Sequence, residues 1–324
     1  MLTSTQQAHL WNTGYCSYHE TRFNSLFEGE PFLAQGFLYY FDGRKLFLCG
    51  YPLDGERDHL RDRLLEIVEH CFREMPIEAV SYCGPERVSF ATVCPRKGAA
   101  VSQAPEHFSA ELVVECSEPP ANRRLRTWLR SAQRNTLEIA SYRGPLLLTV
   151  ERLRLIESFF RVRETTPYLL DLAFALPGLT RLDGAHWFEV LQAGRLCGLA
   201  LVLDAFRTMD LAVFLTTDRS VRGASDALYA AFIESAKERG KKTVNLGPSI
   251  AAGHYWYKEK WGGRPLVAPY WYWEWACGEL ARADFFSWPS RILQYGFRPL
   301  QKGLGVDARN GRSKRSAAQG ARNQ

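Results

Sequence analysis

From Trp187 to Asn245 the chain sets out three closely spaced strand-like runs, a glycine-containing turn, one amphipathic helix and a fourth strand. The runs are Trp187–Gln192, Leu196–Leu203 and Met209–Thr216, and Ala193-Gly194-Arg195 makes the first turn between them. After Asp218, the segment from Arg219 through Arg222, Gly223 and Ala224 leads into a helix with Leu228, Phe232 and Ala236 on one face. Lys237, Arg239 and Gly240 close that helix, because cations suit its negative end and glycine accepts the left-handed turn that follows. A strand at Thr243–Gly247, a short helix at His254–Trp261 and an aromatic strand at Tyr270–Trp275 complete the series. Alternation of this kind predicts an α/β unit with helices laid on a sheet.

The first half repeats the theme less clearly. Strand-like runs at Phe37–Phe41 and Lys45–Cys49 flank Asp42-Gly43-Arg44, which carries a hairpin signal. A helix from about Glu56 to Phe72 follows, with Leu60, Leu64, Ile67 and Cys71 on one face. Strands are expected at Ala79–Cys83 and Glu111–Cys116, with a Pro/Gly-punctuated loop between them. Pro119-Pro120 then breaks the chain and opens a helix from Asn122 to Asn135. That helix carries Arg123, Arg124, Arg126, Arg130 and Arg134 with no acid, so it offers either a solvated face or a docking face for an anionic partner. A further helix over Val150–Arg163 buries Leu153, Ile156, Phe159 and Phe160.

Length and charge bound the reading. A chain of 324 residues accommodates two domains of roughly 130–150 residues, each able to close a core. Its net charge of +6 comes entirely from the end of the chain: nine Lys/Arg against three Asp/Glu follow from Glu279, while 32 face 32 over residues 1–278. The tail suits disorder, and either solubilises the chain or touches RNA or an anionic membrane surface. No apolar run approaches the roughly 18 residues of a membrane span, and the start Met-Leu-Thr-Ser lacks a secretory pattern, which points to the cytoplasm, with the tail able to reach the inner face of a membrane. The eight cysteines include no C-x2-4-C pair, so reduced buried thiols are expected and no metal site. Gly240-Lys241-Lys242-Thr243 lacks the earlier glycine of a P-loop and has Lys242 where Ser or Thr belongs. Neither G-x-S-x-G nor H-E-x-x-H occurs.

The stretch Val244–Arg264, with its Asn245-Leu246-Gly247 strand end, Pro/Ser/Gly turn and aromatic helix bearing Lys258 and Lys260, resembles the acyl-transfer end of a GNAT-superfamily domain. The likeness is to the Fem-like and lysylphosphatidylglycerol-synthetase-like branch. Arg126-x-x-x-Arg130-Ser-Ala-Gln-Arg134 is similar to the segment joining the paired domains of Fem-like proteins. Leu48–Leu53 resembles a G-D-P segment of the synthetase-type domain, with Tyr51 where that pattern has Asp. The resemblance implies two tandem GNAT-like domains, each a mixed, mostly antiparallel sheet flanked by helices. The degenerate first domain would occupy 1–118, the Arg-rich linker helix 119–137, the acyl-transfer domain 138–278 and the basic tail 279–324.

It also implies a function: transfer of an acyl or aminoacyl group to an amine or hydroxyl of a small-molecule, lipid or cell-envelope acceptor, by direct attack. The donor would be aminoacyl-tRNA, with acyl-CoA the alternative co-substrate and no tightly bound cofactor. A third reading, a non-catalytic double-GNAT scaffold, stays open, and DNA is not an expected partner. The family's phosphate-binding turn matches Arg219, Arg222, Gly223 and Ala224 only loosely, while Phe214, Thr216 and Asn245 fall where the donor would lie. Arg123, Arg126, Arg130 and Arg134 would face the anionic partner. Lys258 stands where acetyl-CoA enzymes of the superfamily carry a tyrosine that protonates the leaving thiolate, so it is expected to hold a phosphate or an oxyanion. Tyr257 and His254 complete the expected catalytic group, His254 with an ordinary pKa near neutrality or else as a packed residue.

Overall fold

The strands of the second half read as unbroken apolar runs because their sheet is covered on both faces. Along Arg195–Phe206, Leu199, Leu201 and Leu203 enter one core while Ala200 and Val202 enter the other. A computed structural model describes residues 2–103, 110–117, 127, 130, 136–162, 177–247, 249, 252–267 and 270–277. In chain order the elements are α1 (Ser4–Thr13), a 3-10 turn (Ser17–His19), α2 (Thr21–Glu28), β1 (Glu30–Ala34), β2 (Phe37–Phe41), β3 (Lys45–Cys49), α3 (Leu60–Glu74) and β4 (Ala79–Gly84). Then come β5 (Ala99–Gln103), β6 (Leu112–Glu115), β7 (Leu137–Arg143), α4 (Val150–Val162), β8 (Ala185–Gln192), β9 (Arg195–Phe206) and β10 (Met209–Thr217). The chain continues through α5 (Ala224–Glu238), β11 (Thr243–Asn245), α6 (Ala252–Lys260), β12 (Arg264–Pro265) and β13 (Trp271–Ala276).

Two mixed sheets result, ordered β1-β2-β3-β4-β13-β5 and β12-β6-β11-β10-β9-β8-β7. Each holds the same unit: three antiparallel strands, a helix, and a strand parallel to the third (β1-β2-β3-α3-β4 and β8-β9-β10-α5-β11). Leu60, Leu64, Ile67, Val68 and Cys71 seat α3 on the first sheet, and Leu228, Phe232 and Ala236 seat α5 on the second. Fully burying one such side chain stabilises by ~1.5–3 kcal/mol, which outweighs the modest helix propensity of either sequence.

The strand beside each parallel pair comes from the other half. β6 packs against β11 from residues 112–115, and β13 packs against β4 from residues 271–276. β6 thus lies in the sheet of the later strands and β13 in the sheet of the earlier ones, which laces the two sheets together. The amino-terminal segment adds to the lacing: Leu10 and Cys16 enter the first-sheet core, whereas Phe23 enters the core of the second.

Local differences from the sequence reading have physical causes. The helix expected from Glu56 begins at Leu60, because His59 takes a left-handed backbone (φ 53°) that stops the helix extending backwards. Ala99–Gln103, read as loop, is a strand completing one edge beside β13. Of the Arg-rich helix, only Thr127 and Arg130 fall within the described residues, both exposed; Arg123, Arg126, Arg134 and the tail lie outside them. All eight cysteines are free, and only Cys94 is not buried. No helix among the described residues is long and apolar enough to cross a membrane. Lys241 of the P-loop-like run is structural: its Nζ donates to the Phe206 carbonyl (2.6 Å) and pairs with Asp204.

Candidate active site

The β10–β11 ladder is short. Met209, Asp210 and Leu211 pair with Thr243, Val244 and Asn245, and pairing stops there although β10 runs on to Thr217. A register shift between Ala212 and Phe214 on the β9 side bends β10 at the same level. The open carboxyl end of a parallel pair is where α/β sheets receive ligands, since the helices and loops that follow leave a crevice there.

Asn245 and Glu111 fix the walls of this crevice. The Asn245 side-chain carbonyl accepts the Gly247 N–H (2.7 Å), which turns the chain sharply with Gly247 at φ 69°. Its amide donates to Glu111 Oε2 (2.6 Å). Glu111, wholly buried just before β6, also receives the backbone N–H of Ser17 (2.9 Å to Oε2) and the Ser17 hydroxyl. Burial pushes its carboxyl above the ordinary range, and the bonds from Ser17 and Asn245 restrain that rise. Asn245 is thus a scaffold of the turn, with its side chain engaged inside the protein rather than presented to a donor.

Lys258 reaches this turn from α6. It is buried, and its Nζ donates to the Gly247 carbonyl at 2.8 Å. Burial in a low-dielectric pocket lowers its pKa to about 7, with the Glu111 charge opposing the fall. A lysine so placed changes charge near neutral pH. Ser249 Oγ, on the turn between β11 and α6, and Thr216 Oγ1 on β10 are buried with no hydrogen-bond partner among the described residues. Unsatisfied buried hydroxyls are rare in folded proteins and mark places where a ligand can supply the missing bond.

The expected site residues divide. Lys258 is in place, and His254 lies one helical turn before it on the same side of α6, half-buried. Tyr257 faces elsewhere: its hydroxyl donates to Asp226 Oδ1 (2.6 Å) and its ring meets Tyr229 edge-on at 5.2 Å. Burial, then the Asp226 charge, raise its pKa well above normal, so the phenol stays protonated and clamps α6 to α5. Phe214 is packed in the second-sheet core. Arg219 and Arg222 are exposed on the turn before α5, Gly223 supplies its left-handed residue (φ 90°), and Ala224 begins the helix. Asp218 in that turn is held by the Ser220 N–H at 2.9 Å, and Asp226 sits in the first turn of α5. Glu111 and Ser17 escaped the sequence reading, because nothing local shows that residues 94 apart in sequence will meet.

No protein-family model matches the sequence, and no curated protein matches it. Solved structures do match in fold. The C-terminal domain of a protein named as a lysylphosphatidylglycerol synthetase from Agrobacterium fabrum superposes with a TM-score of 0.55 at 14% identity, over 90% of this chain and 98% of that one. The L-PGS structure from Bacillus licheniformis gives 0.55 at 14% identity over 92% and 98%, and FemX gives 0.55 at 9% over 94% and 99%. The likeness extends over nearly the whole of each chain. The fold is two tandem GNAT-like units, of the architecture seen in the lysylphosphatidylglycerol synthetase domain and FemX.

Proposed function

We propose that this chain is an acyltransferase that moves an aminoacyl group from aminoacyl-tRNA to an amine or hydroxyl of a lipid or cell-envelope acceptor. The observation that carries the reading is Lys258, buried at the end of the β10–β11 ladder in a fold shared with proteins named for aminoacylating a lipid. In the proposed reaction the acceptor amine or hydroxyl attacks the donor carbonyl directly, without an enzyme-bound intermediate. The tetrahedral species then breaks the ester C–O bond, and the departing tRNA ribose oxygen takes up the proton the acceptor loses. Oxygen gains negative charge in the tetrahedral species, and the Lys258 ammonium stabilises it from a pocket where screening by water is weak. The Gly247 carbonyl orients that ammonium by taking one of its three protons. Glu111 acts through its charge and through Asn245, as a positioning residue. Thr216 and Ser249 hydroxyls offer bonds to the donor, and Arg219 and Arg222 approach its phosphates from the α5 turn.

Gly223 and Ala224 at the start of α5 favour acyl-CoA as a second donor, because N–H groups at a helix start suit a pyrophosphate. The buried Lys258, standing where acetyl-CoA enzymes of the superfamily carry a tyrosine, favours the first. The test gives the purified chain labelled aminoacyl-tRNA or acyl-CoA with phosphatidylglycerol vesicles. Label in the lipid from aminoacyl-tRNA, cut ~10²-fold by Lys258→Ala in a normally folded protein, is the expected result. Transfer from acyl-CoA alone selects the second donor. No transfer from either, with tRNA or vesicles still retained by the variant, identifies a scaffold.

A further inference from the structure

A second cluster lies in the first half, at the end of β3. The sulfurs of Cys16 and Cys49 and one ring nitrogen of His19 lie within 4.8 Å of one another, and all three residues are buried. We propose that Cys16, His19 and Cys49 bind a single thiophilic divalent ion, zinc.

Ligands at Zn–S distances of about 2.3 Å and Zn–N distances of about 2.0 Å stand roughly 3.5–4 Å apart around a tetrahedral ion. The observed spread needs only a small closure to reach that. Cys16 and His19 are three residues apart across one 3-10 turn, a geometry that brings i and i+3 to the same side. Cys49 ends β3, held in parallel register with Cys83 on β4, so the third ligand is on a rigid strand. His19 Nε2 lies 2.9 Å from the Tyr51 carbonyl, to which its N–H donates. That contact fixes the tautomer and leaves the Nδ1 lone pair to give, as outer partners of metal-bound histidines do. The Tyr15 N–H approaches Nδ1 at 3.4 Å, a long contact that a metal displaces.

Charge balance points the same way. Two thiolates, a neutral imidazole and a divalent cation sum to zero, which suits a pocket walled by Leu38, Tyr40, Phe47 and Leu53. The three ligands leave one position for water, and metal binding releases the two thiol protons. Two buried free thiols would pack as small apolar groups and need no histidine beside them. The sequence reading set metals aside for want of a C-x2-4-C pair; the pattern here is C-x2-H plus a cysteine thirty residues on. Ser17, inside the same turn, holds Glu111, so an ion here would also steady the wall of the candidate active site.

The full chain, expressed in zinc-supplemented medium and purified under reducing conditions without chelator, is analysed by elemental mass spectrometry. About one equivalent of zinc per chain is expected, retained by Cys94→Ser and lost by more than ~10-fold in Cys16→Ser and Cys49→Ser. Those variants can fail to fold, so the unmutated chain is also produced in cobalt medium. Visible bands of tetrahedral cobalt with near-ultraviolet thiolate charge transfer are expected. A folded, reduced chain carrying neither metal overturns the proposal. So does undiminished zinc in a Cys16/Cys49 double serine variant, or an unreduced chain two hydrogens lighter with Cys16 and Cys49 crosslinked.

Discussion

The two repeated units differ most where their parallel pairs end. In the first, five residues of β3 pair with five of β4, and the Gly50 N–H extends the ladder to the Cys83 carbonyl at 2.8 Å. Tyr82 lies against Gly50 and Gly84, its hydroxyl on the Glu86 carbonyl (3.1 Å) and its ring against Phe90. In the second, three residues pair and the continuation is polar: Asn245, Gly247, Lys258 and Glu111 hold a turn in place of a ladder. One architecture thus carries a ladder end plugged by an aromatic ring and a ladder end where burial lowers a lysine pKa to about 7 beside a buried carboxylate. An aromatic plug and an extended ladder favour stability, whereas a buried lysine costs stability unless a ligand uses it.

The largest expected effect tests whether the second crevice is the working one. Lys258→Met should cut transfer ~10²-fold or more while stabilising the fold by ~1 kcal/mol or more at neutral pH. The folded pKa of about 7 lies below the ordinary 10.5, so between those values the unfolded chain binds a proton that the native state lacks. Native stability should therefore rise with pH across that window. The variant should lack this slope, with its advantage full below about pH 7 and gone near 10.5. Urea unfolding at pH 7 and pH 9 checks the sign; equal slopes in both proteins would return Lys258 to the status of a solvated surface charge.

Filling in the first crevice is the converse case. Tyr82→Ala should cost ~3 kcal/mol or more, as large aromatic truncations in well-packed cores do. It should leave the transfer rate of the folded fraction unchanged. A comparable loss of rate would mean that both crevices contribute to catalysis and that the first is not a retired site.

What the sequence disclosed follows the range of the forces involved. Strands β2 and β3 appear in it with their observed ends, because alternation and a hairpin turn are local. The α5 helix, the glycine-containing turn before it and the place of Lys258 on a short helix are legible for the same reason. The exchange of β6 and β13 was not, since edge pairing is settled by which strands survive burial across the whole chain. Glu111 looked like the start of an ordinary strand, and only that exchange carries it to Asn245. The motif position of Tyr257 gives no sign that Asp226, 31 residues earlier, accepts from its hydroxyl.

Glu111→Gln sharpens the comparison further, because it removes the carboxylate that faces Lys258 at the second ladder end. If the Lys258 cation does the work, kcat/KM should fall as pH rises through about 7 in the wild type. Removing the Glu111 charge withdraws an influence that holds the lysine pKa up, so the falling limb should move to lower pH. An anionic donor should raise it again in kcat. A limb that rises with pH would instead make Lys258 a base, and one that does not move in the Gln variant would uncouple Glu111 from it.

The smallest effects come from the neighbours of Lys258 on α6, and they decide whether position or mere proximity matters. Lys260 is exposed and turned roughly 200° from Lys258 around the helix. Lys260→Ala should leave the rate within about twofold, because a charge in water is too well screened to act on a buried oxyanion. Tyr257→Phe removes one hydrogen bond to a buried carboxylate, a loss of ~1.5–3 kcal/mol for a bond to a charged group, without touching the turn that Lys258 holds. Its Tm should fall while kcat at a temperature well below that Tm stays put. If kcat instead falls as far as in Lys258→Ala, the Tyr257 hydroxyl reaches the reacting atoms in the bound state, and the leaving-group chemistry of the acetyl-CoA enzymes would have to be restored to this site.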